Sequence, residues 1–407
     1  MLALLGAAAA LAIQAPEPAG CHATLCYAEA LRPFLGRLRA GEPVHIIQIG
    51  DSHTAGDMIT NGWRTRLQAR YGAGGRGVLA AGRPYAGYLT WGVTASQSGG
   101  WSANASFGGR YRADGPPVGL TGFTQTAQAA GEMLTVAADS ADQDFDRIIL
   151  CAITQPGGGT IILHMGAETE SWALGAPAPA PACRTMDSDA PVSSAAITTE
   201  DSGTVSITSF ATFRRAGGIT LSNLGVVGAQ LAHFSRTSDA VVEAELAAYH
   251  PDLVVLAFGT NEGFAAGLAL DAYEEALRAQ IVRIRRLAGA DVPILLLGPP
   301  DAATRMPASA GLAGACGDGW AVPLGLEGVR ARQQRAARIM HAAFWNWSAA
   351  MGGRCASSLW RYSDRMRGDH VHFTRSGGDR IGAMIDADMI HALELLPSPD
   401  GESGGRR

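Results

Sequence analysis

The sequence predicts an α/β protein, a doubly wound parallel sheet interrupted by an all-β insertion of the β-sandwich kind. Three observations carry this reading. Buried-strand runs such as Val44-His45-Ile46-Ile47-Gln48-Ile49 and Leu253-Val254-Val255-Leu256-Ala257-Phe258 end in short loops and alternate with helical stretches, the rhythm of parallel β-α units. Between 96 and 217 helical periodicity disappears, and short β runs separated by Gly, Pro, Ser and Asp replace it. The 407 residues, 47 % of them hydrophobic, exceed what one α/β core needs. The expected organisation is a signal or anchor at 1–20, core at 21–95, β-sandwich at 96–217, core again at 218–396 and a disordered tail at 397–407.

At the N-terminus, Leu2 to Ile13 is an apolar Leu/Ala run, too short to span a bilayer. Ala10-Leu11-Ala12 fits a small-x-small cleavage pattern, so a secretory signal is expected and the protein is placed in the periplasm or otherwise outside the cytoplasm. A positive n-region is missing, which leaves an uncleaved anchor open. A lipoprotein attached at Cys21 ranks third, because Glu17-Pro18-Ala19-Gly20 lacks an apolar residue just upstream.

The first parallel strand leads into Gly50-Asp51-Ser52-His53 and then a helix start at Thr54-Ala55-Gly56-Asp57. Ser52 is thus set at a strand-to-helix turn, on the carboxyl edge where open α/β sheets bind ligands. Capping of the helix by the Ser52 hydroxyl is the plainer alternative.

Within 96–217, strands are expected at 132–137, 145–154, 160–165 and 204–213, with Gln155-Pro156-Gly157-Gly158-Gly159 a hairpin turn. The Ala-Pro alternation at 176–181 reads as an extended surface loop. Trp101, Phe107, Tyr111, Phe123 and Trp172 can stack on sugar faces, although buried aromatics more often serve the core.

After the insertion, Ile219-Thr220-Leu221 leads into the Gly-punctuated turn Asn223-Leu224-Gly225-Val226-Val227-Gly228-Ala229. A backbone N–H at Gly228 can approach a ligand closely there, and a plain strand-to-helix turn would look the same. The next strand ends in Gly259-Thr260-Asn261-Glu262. The Asn261 amide can point at the oxygen of a tetrahedral intermediate or hold the loop in an Asx-turn. A helix at 271–287, a strand at 292–297 and a long helix at 327–350 follow. Gly298-Pro299-Pro300-Asp301 ends a strand on the edge of Ser52 and Asn261, as a loop stop or a pocket wall.

The final block is Asp369-His370-Val371-His372-Phe373-Thr374, before a helix at 376–395 with Thr374 as N-cap. Asp369, three residues before His372, can curl back to accept from its Nδ1–H and leave Nε2 free for the Ser52 proton. His370 is the rival base. It lies one residue from Asp369, where an extended chain sends the two side chains apart.

These four blocks, in this order, resemble the SGNH (GDSL-type) hydrolases, which supply Ser, Gly, Asn and His from them. The resemblance implies a flavodoxin-like SGNH core with Ser52 as nucleophile, His372 as base and Asp369 as its orienting carboxylate. It implies an oxyanion hole of the Ser52 N–H, the Gly228 N–H and the Asn261 side chain, with Asp51 and His53 in support. His53, where many members carry Leu, and the stretch from Trp345-Asn346-Trp347 to Met351-Gly352-Gly353 look similar to the bacterial peptidoglycan O-acetylesterase subgroup. In that subgroup a carbohydrate-binding-module-like β domain interrupts the hydrolase where 96–217 lies here.

Composition narrows the chemistry. All 32 basic residues are Arg, so a Ser-Lys dyad, a Schiff base and a phosphate-cradling P-loop are excluded. A formal net charge of −5 with scattered Arg gives no nucleic-acid footprint, although Arg can serve a carboxylate-bearing substrate. No Cys-x-x-Cys or His-Glu-x-x-His spacing occurs, so no metal or other cofactor is expected. The six Cys suit disulfides in an exported chain, with Cys21–Cys26, Cys151–Cys183 and Cys316–Cys355 as pairings that stay within one region. Free buried thiols are the cytosolic alternative.

The function implied is a serine esterase that removes O-acetyl groups from cell-envelope polysaccharide, with peptidoglycan foremost. An O-acetyltransferase using the same residues is the second reading, and a non-catalytic glycan-binding envelope protein the third. The partner expected is an acetylated glycan, with no nucleic acid and no integral membrane domain beyond the N-terminal segment. Oligomeric state is not readable.

Overall fold

The computed structural model describes residues 20–289, 291–306 and 315–396. The expected signal, nearly all of 1–20, and the expected tail at 397–407 lie outside them. Five parallel strands, β1 (Val44–Gly50), β2 (Ile219–Gly225), β3 (Leu253–Ala257), β4 (Ile294–Leu297) and β5 (Ala343–Trp345), lie side by side in the order β2-β1-β3-β4-β5. This is the flavodoxin-like order, with its switch point between β1 and β3. A short antiparallel hairpin at Cys21–Cys26 extends the β5 edge.

Side chains alternate along each strand, so β1 sends Val44 and Ile46 to one face and Ile47 and Ile49 to the other. Helices α1 (Arg32–Arg39), α2 (Met58–Tyr71), α3 (Asp239–Tyr249), α4 (Leu270–Ala288), α5 (Leu324–Ile339) and α6 (Arg375–Leu395) cover both. α1, α2 and α6 pack on the first face through Phe34, Trp63 and Ile385, and α3, α4 and α5 on the second through Leu246, Ile281 and Val329. α2 and α6 touch at backbone distance. A Cβ on Gly382 would stand 2.5 Å from the Trp63 N, and one on Gly62 would stand 2.9 Å from the Asp379 Cα. Because α2 follows Ser52 and α6 follows His372, this contact brings the two ends of the chain's chemistry to one place.

The intervening region forms two antiparallel sheets. One orders its strands Glu168–Ala173, Thr160–Met165, Ser194–Thr199, Met133–Ala138 and Val93–Gln97; the other orders Ala180–Val192, Phe145–Thr154, Val205–Phe213, Phe123–Ala127 and Ser102–Ala105. Leu134, Val136, Ile161 and Ile197 of the first meet Ile148, Leu150 and Ile207 of the second in a shared core. The second sheet is buried on its other face too, where Ile149, Cys151 and Ala211 join the α3 side of the parallel core. There the buried Glu245 of α3 accepts hydrogen bonds from the Leu120 N–H (2.6 Å), Thr208 Oγ1 (2.7 Å) and Ser209 Oγ (2.6 Å). Burial pushes its carboxyl upward despite them.

Several expectations shift. The strand Gly77–Leu79, upstream of residue 96, already joins the second antiparallel sheet through Val205–Phe213. Residues 180 and 181 belong to the strand Ala180–Val192 rather than to a loop, an edge strand whose exposed, polar and Pro-containing face hides its alternation. The helix expected over 327–350 stops at Ile339. His341 has a φ of 50° and turns the chain into β5, whose three residues are fully buried. A short helix, Trp347–Met351, follows. The cysteines pair as Cys21–Cys26, Cys151–Cys183 and Cys316–Cys355. Trp101, Phe123 and Trp172 are buried.

Candidate active site

The carboxyl ends of three neighbouring strands are in register. Gly50 of β1 stands opposite Gly225 of β2 and Ala257 of β3, so Ser52, Gly228 and Asn261 follow their strand ends by two, three and four residues. The turn after β1 is tight. A Cβ on Gly225 would lie 2.1 Å from the Ala55 N, and one on Gly50 would lie 2.6 Å from the Ala257 carbonyl oxygen. The bare backbone lets the helix Ser52–Ala55 settle on the sheet edge.

Asp51, not Ser52, caps that helix, accepting from the His53 N–H at 2.9 Å. The Ser52 hydroxyl is therefore free of the capping role and lies 3.0 Å from His372 Nε2. On the other side of the ring, His372 Nδ1 is 2.8 Å from Asp369 Oδ2. Asp369 Oδ1 accepts from the Val371 and His372 N–H groups at 3.0 and 2.9 Å. Partial burial works to raise the Asp369 carboxyl, but these donors and the imidazole outweigh it and hold it below the ordinary carboxylate range. An imidazole so held presents Nε2 to a hydroxyl and can take its proton.

His370 takes a different path. With a φ of 56° its ring turns away and stacks on Trp320, centroids 3.8 Å apart. His53 is buried, with Nδ1 3.2 Å from Asp51 Oδ1 and Nε2 2.9 Å from the Val371 carbonyl. Burial by itself would lower its pKa, yet Asp51 and the Val371 carbonyl raise it above the usual imidazole value.

Asn261 lies in the first turn of a short helix, Thr260–Phe264, rather than in an open loop, and its Nδ2 donates to the Ala229 carbonyl at 2.9 Å. One amide hydrogen is thus spent on holding the group in place and the second remains for a ligand. Buried Glu262 ties the same two turns, accepting from the Leu231 and Gly259 N–H groups at 2.7 and 3.0 Å. Burial pushes its pKa up to about 7. Gly228 has a φ of 78°, and a Cβ there would lie 2.8 Å from Phe107 Cε1, so the antiparallel region packs directly on this turn. Asn223, at the head of the Gly block, is inside β2 and donates from Nδ2 to Thr60 Oγ1 at 2.7 Å.

Ser52, His53 and His372 open into a cleft of about 270 Å³. Sequence reading did not find the part of its wall formed by Met58, Tyr85, Leu89, Val227, Arg367 and Phe373. Leu89 and Val227 are 46 and 55 % exposed, large apolar groups left beside a polar centre. Their positions in irregular segments leave no periodic signal. Pro299 and Pro300 do not line this cleft.

The fold is that of an ester hydrolase with a core similar to the SGNH type. No family model matches the chain, and no curated relative does. Among solved structures, a peptidoglycan O-acetylesterase is similar over its full length: 28 % identity, 92 % of this chain, 100 % of that chain, TM-score 0.75. An active site mutant of a family two carbohydrate esterase from Clostridium thermocellum matches at 12 % identity over 73 % of this chain and 99 % of that one, TM-score 0.29. A family 3 carbohydrate esterase from Talaromyces cellulolyticus matches at 16 % over 44 % and 74 %, TM-score 0.30. Among the described residues no helix is long and apolar enough to cross a membrane.

Proposed function

We propose that this protein is a serine esterase that removes O-acetyl groups from cell-envelope polysaccharide, with peptidoglycan as the polymer, and that it works in the periplasm or otherwise outside the cytoplasm. The observation that carries the mechanism is the chain Ser52 Oγ–His372 Nε2 (3.0 Å) and His372 Nδ1–Asp369 Oδ2 (2.8 Å) opening into the cleft. The polymer is inferred from the full-length likeness to a peptidoglycan O-acetylesterase. Three disulfides favour an oxidising compartment.

In this reading His372 removes the Ser52 proton as Oγ attacks the acetyl carbonyl carbon. The oxyanion is received by the Ser52 and Gly228 N–H groups and by Asn261 Nδ2. Collapse breaks the ester C–O bond, and the sugar oxygen leaves with the proton from His372. Water, deprotonated by His372, attacks the acetyl-serine and releases acetate. Asp369 keeps the imidazole in the working tautomer throughout and stabilises its charged form. Asp51 and His53 hold the turn and the His loop. The exposure of Leu89 and Val227 leaves the cleft open to water, which favours hydrolysis over transfer to a second sugar.

The test is acetate release from O-acetylated peptidoglycan and from an aryl acetate by the native protein, Ser52→Ala and His372→Ala. Release from both substrates, lost in both variants, supports the reading. Aryl acetate turnover alone moves the substrate to another ester, and no turnover of either removes the esterase.

A further inference from the structure

Beside the cleft, a groove of about 520 Å³ is formed by strands of the antiparallel region and the segment before them. Arg83, Arg110 and Arg112 line it with Gln97, Gln125 and Trp101, and no Asp or Glu contributes to its wall. All three guanidinium-bearing residues are exposed. The Arg83 guanidinium donates to the Ala86 carbonyl at 2.9 Å, and among the described residues none of the three has an ion-pair partner. Elsewhere some surface arginines pair with carboxylates, as Arg66 does with Asp379, Arg147 with Asp187 and Arg184 with Glu170; what distinguishes this groove is that three arginines line one hollow with no carboxylate in its wall. Three unpaired arginines converging on one hollow repel one another, and a bound anion relieves that repulsion.

The groove is continuous with the chemistry. Tyr85 lines both the groove and the cleft. A smaller hollow of about 190 Å³ between them shares Val227 with the cleft and Arg110 with the groove. A sugar chain with one acetyl ester at Ser52 can therefore lie across Val227 and Tyr85 and place a neighbouring residue among the arginines.

We propose that this groove is a carboxylate subsite, and that the substrate class is an O-acetylated glycan bearing an acid group near the acetylated sugar. The inference rests on the reading of the protein as a glycan esterase. Arginine's planar fork matches a carboxylate with two parallel N–H···O bonds, which gives orientation as well as attraction. The acid comes from one of two sources, a carboxylate of a peptide amide-linked through a lactyl ether or the C6 carboxylate of a uronic acid.

Calorimetric titration of the Ser52→Ala protein reads this without turnover. The probes are a deacetylated muramyl oligosaccharide with its peptide, an oligouronate and a neutral chitooligosaccharide of the same length. An acidic probe should bind about tenfold more tightly than the neutral one, a difference of about 1.4 kcal/mol. Adding Arg110→Ala and Arg112→Ala should erase that preference, and raising the salt concentration should weaken it. Whichever acid binds names the source. Equal affinity for acidic and neutral probes, absence of binding by either acid, or a preference that survives loss of both arginines overturns the subsite. Failure of the esterase reading shows elsewhere, as no acetate released by the native protein from any acetylated glycan, charged or neutral.

Discussion

His53 Nε2 donates to the carbonyl oxygen of Val371 across 2.9 Å, so the residue after Ser52 braces the residue before His372. The Ser turn and the His loop, 320 positions apart in the chain at Ser52 and His372, are held by this bond as well as by their own contact.

Both His53 bonds, to Asp51 and to Val371, are donated together only by the protonated ring. Its pKa is raised, with burial opposing and Asp51 prevailing. The protonated form is what the fold prefers, so the contribution is full below the ordinary imidazole pKa and fades as pH rises through the raised value. The difference in melting temperature between the native protein and His53→Gln should be greatest in mild acid and shrink toward alkaline pH. A constant difference across that range counts against the argument.

Asp369→Asn keeps the shape and offers a donor or a weaker acceptor to His372 Nδ1, so the imidazole loses its fixed tautomer. We expect kcat on an aryl acetate to fall by about a hundredfold to ten-thousandfold, with KM nearly unchanged. Steady-state kinetics beside a circular dichroism spectrum that matches the native one is the check; a loss of less than threefold would show that Asp369 does not orient the base.

Asn261→Ala removes the side-chain donor proposed for the oxyanion hole and leaves the Ala229 carbonyl to water. The expected cost is about a hundredfold to a thousandfold in kcat. A change confined to KM would place Asn261 in ground-state binding instead.

Gly225→Ala inserts a methyl 2.1 Å from the Ala55 N, into backbone that cannot swing aside as a side chain would. We expect a loss of about 1–3 kcal/mol in urea unfolding together with a fall in kcat, because the displaced helix carries Ser52. Native activity and stability in this variant would mean that the turn has more room than its backbone positions allow.

Asp57 is buried with two buried arginines, Arg64 at 3.2 Å and Arg76 at 2.9 Å, and also accepts from the Trp91 N–H at 2.9 Å. It joins α2 to the chain entering the antiparallel sheets. Burial would raise its carboxyl, but the arginines hold it below the usual range, so its stabilisation is present above the ordinary Asp pKa and is lost as pH falls through the depressed value. Asp57→Ala should cost about 3–5 kcal/mol at neutral pH by leaving both cations uncompensated. Chemical denaturation at neutral and acid pH measures it, and a cost that grows on acidification contradicts the assignment.

Much of this was legible in residue order. The runs at β1 and β3 are continuous and apolar because both faces of a parallel sheet are covered, and the blocks that follow them carry residue types with few plain uses in combination. Thr374 announced its cap, and accepts from the Gly377 N–H at 3.2 Å. β5 was hidden because three apolar residues after a helical stretch continue its pattern, and only the left-handed backbone at His341 breaks it. The strand Ala180–Val192 was hidden by its exposed face. The cleft wall at Tyr85, Leu89 and Arg367 was silent, because irregular segments obey no period.

Chemical identity and local spacing sufficed for the alternation of strands and helices, the absence of any lysine and a carboxylate three residues before a histidine, because each depends on neighbours within a few positions. The strand register that levels Gly50, Gly225 and Ala257, the α2–α6 contact that carries His372 to Ser52, the turning of His370 onto Trp320 and the run of arginines leading from the cleft depend on residues tens to hundreds of positions apart. Close packing of bare backbone sets those relations, and it exists only once the chain has folded.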